Sequence, residues 1–140
     1  MSFLSPSSAL WSSRLPSVLR IVAAFLFITH GTQKYFGVPT DRPRQPVPVM
    51  SLAGLAGAIE LTGGPLMLVG LFVQPVAFIL SGEMAVAYFR GHAPRNFWPQ
   101  LNGGEHTVLF CFIFLYMWAA GGGAWSLDAL RKKGRTEGSG

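Results

Sequence analysis

Ser51–Phe72, SLAGLAGAIELTGGPLMLVGLF, is the stretch on which the architecture turns. Its apolar part, Leu52 to Phe72, is long enough to cross a bilayer, which takes about 20 apolar residues. It contains a single ionisable group, Glu60. On a helix Ala53, Gly57, Glu60 and Gly64 follow at spacings of four, three and four, so they share one face. That face is nearly bare apart from the carboxyl, and small residues let a second helix approach closely. Pro65 removes a backbone donor and crowds the carbonyl of Leu61, beside Glu60. Polar groups and irregular backbone at membrane depth are tolerated only inside protein or against a cavity.

The rest of the composition points the same way. Half of the 140 residues are hydrophobic and 12% are charged, against about 25% charged in soluble domains. Mean hydropathy is +0.39 and the pI is near 10. The basic residues sit at the ends of apolar stretches and in the tail, with no basic face interleaved with aromatics, so nucleic acid is not the expected partner. Lipid is. The one cysteine, Cys111, lies in the last apolar stretch. It cannot form an internal disulfide, no CxxC is present, and it reads as a small buried hydrophobe.

Four helices are expected, at about 16–36, 52–72, 75–90 and 105–120, forming an all-α integral membrane bundle within residues 16–130. Residues 1–15 read as a flexible lead and 131–140 as a disordered basic tail. A signal peptide is the alternative for the first helix, but no small-residue cleavage site follows it. Pro16 suits a first-turn position. Arg20, Ala23, Phe27, His30 and Lys34 form one stripe, with the two cations snorkelling to opposite surfaces. The proline-rich loop Gly37 to Met50 and the aromatic loop Gly91 to Gly104 fall on one side. Asn102 is a candidate cap for the last helix, and Glu105 suits the positive end of its dipole. Four crossings place both termini together, and the clustered basic tail assigns them to the cytoplasm.

Depth follows from the rise per residue. Glu60 and Glu83 each lie roughly 12 Å from their helix starts, near mid-membrane. His30, Lys34, His92, Glu105 and His106 lie in the loop-side half. The expectation is a polar pocket between helices, open to one side. Intramembrane ionisable groups are rare and costly, which favours function for Glu60 and Glu83. The structural alternatives are paired or neutral packing for the carboxyls and interfacial anchoring for His30 and Lys34. Haem held by two histidines lacks a CxxCH motif and matched depths. Metal ligation by Glu60 with His30 is weak, and no metal is expected.

The ordered set Arg20, His30-Gly31-x-x-Lys34-x-Phe36-Gly37, Glu60-x-x-Gly63-Gly64, Gly70-Leu71, Met84-x-x-Ala87, His92, Gly103-Gly104-Glu105 and Trp125-Ser126-Leu127-Asp128 resembles the DoxX family of small bacterial and archaeal four-helix membrane proteins. The resemblance spans about Val18 to Leu130. Gly121-Gly122-Gly123 stands where the family usually has glycine-proline-glycine. The family is named after a subunit of a thiosulfate:quinone oxidoreductase. The resemblance therefore implies a multi-pass protein of the plasma (inner) membrane, and a quinone-linked redox complex.

In that reading quinone is the candidate cofactor. His30, Lys34, Glu105 and His106 would bind it, and Glu60 and Glu83 would relay protons. The chain holds no redox motif, so electrons would come from a soluble or membrane redox partner. Whether the chain is itself an enzyme is left open. One alternative is a non-catalytic scaffold that recruits a soluble redox or sulfur-metabolism enzyme through its basic tail. Another is a small-molecule or proton transporter, for which four helices would require a homo-oligomer.

Overall fold

The structure is a computed structural model that describes residues 6–40 and 45–138. Asp41, Arg42 and Arg44 of the proline-rich loop lie outside the described residues. Among those described the chain is all-α. Helix α1 spans Pro6–Phe36, α2 Leu52–Val69 and α3 Val73–Ala87. A π-helical turn, Tyr88–His92, continues α3. Then come the short α4, Pro99–Asn102, α5, Glu105–Ala120, and α6, Leu127–Glu137.

Local chemistry sets these boundaries. Ser51 caps α2, its side chain accepting from the Gly54 amide at 3.0 Å. Gly70 ends α2 in the left-handed conformation, at φ 73°, where a side chain would be strained. Gly104 starts α5 at a site where a Cβ would lie 2.7 Å from Asn102 Oδ1 and 2.9 Å from the Tyr88 ring. Asn102 does not cap α5. Its amide group donates to the Asn96 carbonyl at 2.6 Å while its oxygen accepts from Gly104 N–H at 2.7 Å, stitching the aromatic loop into its turn.

Both ends of the chain differ from the sequence expectation. Helix α1 begins at Pro6, ten residues before Pro16, so the flexible lead is helical over its described part. Pro16 is interior to that helix. Beside it the Ser13 carbonyl leaves the helical ladder and accepts from Ala124 N–H at 2.9 Å. The tail likewise forms α6, because Ser126 caps it and Asp128 anchors it, two signals that a reading of charge alone passes over.

Helix α1 packs chiefly on α2, and α3 on α5. The small residues of α2 explain the first contact. A Cβ at Gly57 would meet the Tyr35 ring at 2.9 Å, and one at Gly64 would meet Ile28 Cγ1 at 2.6 Å. Gly57, Glu60 and Gly64 are buried as expected, whereas Ala53 is exposed. The core joins Phe27 edge-on to Phe110 and Phe114, at 5.7 and 4.9 Å, with Met67, Leu80 and Met117 around them. In lipid such packing is driven by close van der Waals fit rather than by escape from water.

Helices α1 and α2 are long and apolar enough to cross a membrane, while α5 is a shorter apolar helix of 16 residues. Large apolar side chains face outward all round the bundle, among them Val22, Phe25, Phe78, Val86, Phe112 and Trp118. An apolar surface this extensive is unusual for a soluble monomer.

Candidate functional site

Two polar centres lie at opposite ends of the bundle. At the end formed by the α2–α3 turn and the α5–α6 connection, Arg20 is 1% exposed. Its guanidinium does not snorkel to a surface, as its place near the helix end suggested. It donates to the carbonyls of Gly122 at 3.0 Å, Leu68 at 2.6 Å, Trp125 at 2.5 Å and also Met67. These are carbonyls of the α2 C-terminus and of the α5–α6 connection; Met67 also accepts from Gly70 N–H at 3.1 Å and Gly122 from the Ser17 hydroxyl at 3.2 Å. Asp128 completes this end. Its two oxygens accept from the amides of Phe72 at 3.0 Å and Val73 at 2.8 Å, the first amides of α3. Ser17 accepts from Trp125 N–H at 2.9 Å. This centre is saturated with hydrogen bonds and is structural.

The other centre is a cavity of about 710 Å³ enclosed by all four long helices. Helix α1 contributes His30 and Lys34, and α2 contributes Ala53, Ala56, Ile59 and Glu60. Helix α3 and the π turn bring Glu83, Arg90 and His92, and α5 brings His106, Thr107 and Phe110. The walls are mostly apolar. Lys34 Nζ lies 2.5 Å from Glu60 Oε1. The second Glu60 oxygen and both Glu83 oxygens are buried without a hydrogen-bond partner among the described residues. Such atoms are rare in native proteins and call for a proton, a water or a ligand.

The three histidines converge. His30 and His106 stack with centroids 5.8 Å apart, and His92 meets His106 edge-on at 5.6 Å. His92 is fixed through Nδ1, 3.1 Å from the Asn102 carbonyl oxygen. Among the described residues no His, Cys, Asp and Glu group is arranged to hold a metal ion.

Five of the six residues singled out from sequence, Glu60, Glu83, His30, Lys34 and His106, thus line one cavity. Glu105 does not. It is exposed in the first turn of α5, where its charge complements the helix dipole, and it is absent from the cavity lining. Sequence reasoning passed over Thr107 and gave little weight to Arg90 and His92. The π turn brings these last two to the cavity; helical spacing already puts Arg90 on one face with Glu83 and Ala87, which also line it, but gives no such sign for His92. Lys34, expected to snorkel, spends one of its three donors on Glu60 instead.

The cavity is open at the loop end, where Arg90, Gly91 and His106 of its lining are exposed, and also sideways between α2 and α3. Leu52, Ala53 and Leu55 on one rim, and Ile79, Gly82 and Val86 on the other, are exposed. A Cβ built on Gly82 would meet nothing within 4 Å. The side opening lies among outward apolar side chains, the surface that lipid would cover.

Comparison with known proteins agrees with this arrangement. The sequence profile of the DoxX family matches residues 15–93, from α1 through the π turn, including every cavity residue outside α5. The chain is also 43% identical over 114 residues to an uncharacterized protein of Haemophilus influenzae, covering 79% of this chain and 85% of that one. No solved structure matches the chain. A saturated arginine centre, a polar cavity among apolar helices and these two matches lead to one conclusion: the chain belongs to the DoxX family of membrane proteins.

Proposed function

We propose that the chain is a four-crossing membrane subunit of a quinone-linked redox complex, with the quinone ring in the cavity of Glu60 and Glu83. The observation that carries this reading is the set of three unpartnered carboxyl oxygens in an apolar-walled cavity with a lateral opening. A lipid-soluble ligand reaches such a site from the bilayer. Its ring suits the apolar walls, and its oxygens suit the polar groups at the base.

Four crossings fit the helix lengths. The 15 residues of α3 run directly into the 5-residue π turn, together spanning roughly 30 Å at 1.5 Å per residue, the thickness of a hydrocarbon core. Helix α5 is shorter, and a shorter crossing is accommodated by local thinning. Both termini then share one side; cations are nearly balanced between the two sides, and their clustering in α6 favours the cytoplasmic side of a plasma membrane for the termini.

Reduction of a quinone consumes two electrons and two protons. Lys34 retains donors beyond the one on Glu60, and with His30 and His106 it can stabilise negative charge growing on a quinone oxygen. Glu60 and Glu83, on facing helices, are placed to pass protons to that oxygen. The electrons come from a redox partner outside this chain, and the cavity supplies position, hydrogen bonds and protons.

The test is equilibrium binding of a short-chain quinone to the purified protein in mild detergent, read by tryptophan quenching, with empty micelles as the partition control. Saturable binding that weakens on the order of tenfold in Glu60→Gln and His30→Ala, the loss of one or two hydrogen bonds to the ligand, is the expected result. Non-saturable quenching, equal in all variants, would overturn the assignment.

A further inference from the structure

A second cavity, of about 640 Å³, lies at the opposite end of the bundle beneath α6. Arg131, Lys132 and Arg135 line it with Ser12, Ser13 and Gln74. The spacing of these cations puts them on one face of α6 with Asp128. Asp128 is the one carboxylate of the cavity lining, and both its oxygens are committed to the amides that begin α3. Among the described residues the only ion pair is that of Lys34 with Glu60, so no carboxylate is paired with the α6 cations. Arg131 is held in place by stacking over the Phe72 ring, 5.2 Å from its centroid.

The neighbouring face of α6 is apolar and exposed, through Leu127 and Leu130. Trp11, Phe72 and Trp125 stand exposed at the same level. Indole rings, outward leucines and clustered cations side by side are the composition of a helix lying in a membrane interface. A cavity with three unpaired cations in its wall, flanked by apolar side chains, is complementary to a phosphodiester carrying acyl chains.

We infer that the cavity beneath α6 is a binding site for the phosphate headgroup of an anionic phospholipid, in the leaflet on the side of the chain termini. Arg131, Lys132 and Arg135 neutralise the phosphate, and Leu127 and Leu130 lie against the upper acyl chain. The Gln74 amide donates one hydrogen to the Trp118 carbonyl at 3.0 Å, and its second faces the same cavity. The Ser12 and Ser13 hydroxyls donate to the Ala9 and Leu10 carbonyls and take no part. Lys133 projects from another face of α6 and is absent from the cavity lining. The site is independent of the quinone cavity and of its assignment.

Native mass spectrometry of the full-length protein in detergent, titrated with equal amounts of phosphatidylglycerol and phosphatidylcholine, tests this. The wild type should retain phosphatidylglycerol preferentially. At about 1 kcal/mol per cation near a lipid surface, each loss is worth about fivefold. Lys132→Gln should reduce the preference about fivefold, and Arg131→Gln with Arg135→Gln by an order of magnitude or more, whereas Lys133→Gln should change it less than twofold. All variants keep Ser126 and Asp128, which hold α6 to the bundle. Equal retention of both lipids, or equal effects of Lys132→Gln and Lys133→Gln, would overturn the site. Inorganic phosphate that displaces phosphatidylglycerol at equimolar concentration would overturn the lipid as ligand, since the acyl chains would then add nothing to binding, and leave a free anion in its place.

Discussion

Arg20 and Glu60 are each 1% exposed, yet the chain surrounds them in opposite ways. Arg20 meets four backbone carbonyls and leaves little of its donor capacity unused. Glu60 meets one lysine and leaves an oxygen bare, and Glu83 across the cavity leaves two. Burying an unsatisfied polar group costs about 1–3 kcal/mol. A fold that closes one centre completely could have closed the other, for instance with a second cation. The difference separates a charge that holds the helices together from carboxyl oxygens that no group among the described residues satisfies.

The comparison breaks most easily at Arg20. Arg20→Met would orphan the Leu68 and Trp125 carbonyls, at about 1–3 kcal/mol each, while Met67 keeps the Gly70 amide and Gly122 the Ser17 hydroxyl. The loss is still a large share of the roughly 5–15 kcal/mol typical of a folded domain. Thermal unfolding in detergent should show loss of a cooperative transition, and Arg20→Lys should restore little, since an ammonium cannot span carbonyls from three segments. Retention of wild-type stability by either variant would remove the structural role.

Lys34→Met should cost about 3 kcal/mol by stranding the buried Glu60 carboxyl. Adding Glu60→Gln should recover most of that loss, and the double-mutant cycle measures the coupling directly. Without such recovery the two residues do not act as a pair.

Asp128→Ala removes the acceptor from two amides at the start of α3 and should cost about 1–2 kcal/mol, in line with other lost helix caps. Glu83→Gln belongs to the other class. It should change stability by less than about 1 kcal/mol while weakening quinone binding, because Glu83 has no protein partner to lose. A stability loss as large as that of Lys34→Met would place Glu83 among the structural charges. The smallest effect is expected at Gly82, where open space surrounds the added atom: Gly82→Ala should stabilise the helix by roughly 0.5–1 kcal/mol, whereas Gly64→Ala, driven into Ile28, should destabilise.

Much of the cavity was legible as sequence. Charges are so scarce in the apolar stretches that Glu60, Glu83, His30 and Lys34 stand out without any structure, and counting the rise per residue places them at compatible depths. Glu105 and His106 show the limit of that method. They are adjacent, but successive helical residues point about 100° apart, so His106 reaches the cavity and Glu105 does not. The roles of Arg20 and Asp128 were out of reach for a related reason. Their partners are backbone groups of Met67, Leu68, Phe72, Val73, Gly122 and Trp125, and a backbone carbonyl or amide leaves no mark in residue identity. The tail was misread because a run of cations weighs toward disorder unless the caps of Ser126 and the anchor of Asp128 are known to engage.

The sequence by itself determined the solvent, the helical class, a face of α2 bare enough for close helix packing and the residues able to carry chemistry. Those properties follow from hydropathy, residue size and rarity of charge, which are local. Only the tertiary structure decided which charges are satisfied and which are left open, that exposed apolar residues of α2 and α3 rim the cavity, and that a second, basic cavity forms under α6. Each of these depends on where backbone groups and side chains from distant segments meet, and no single stretch contains that information.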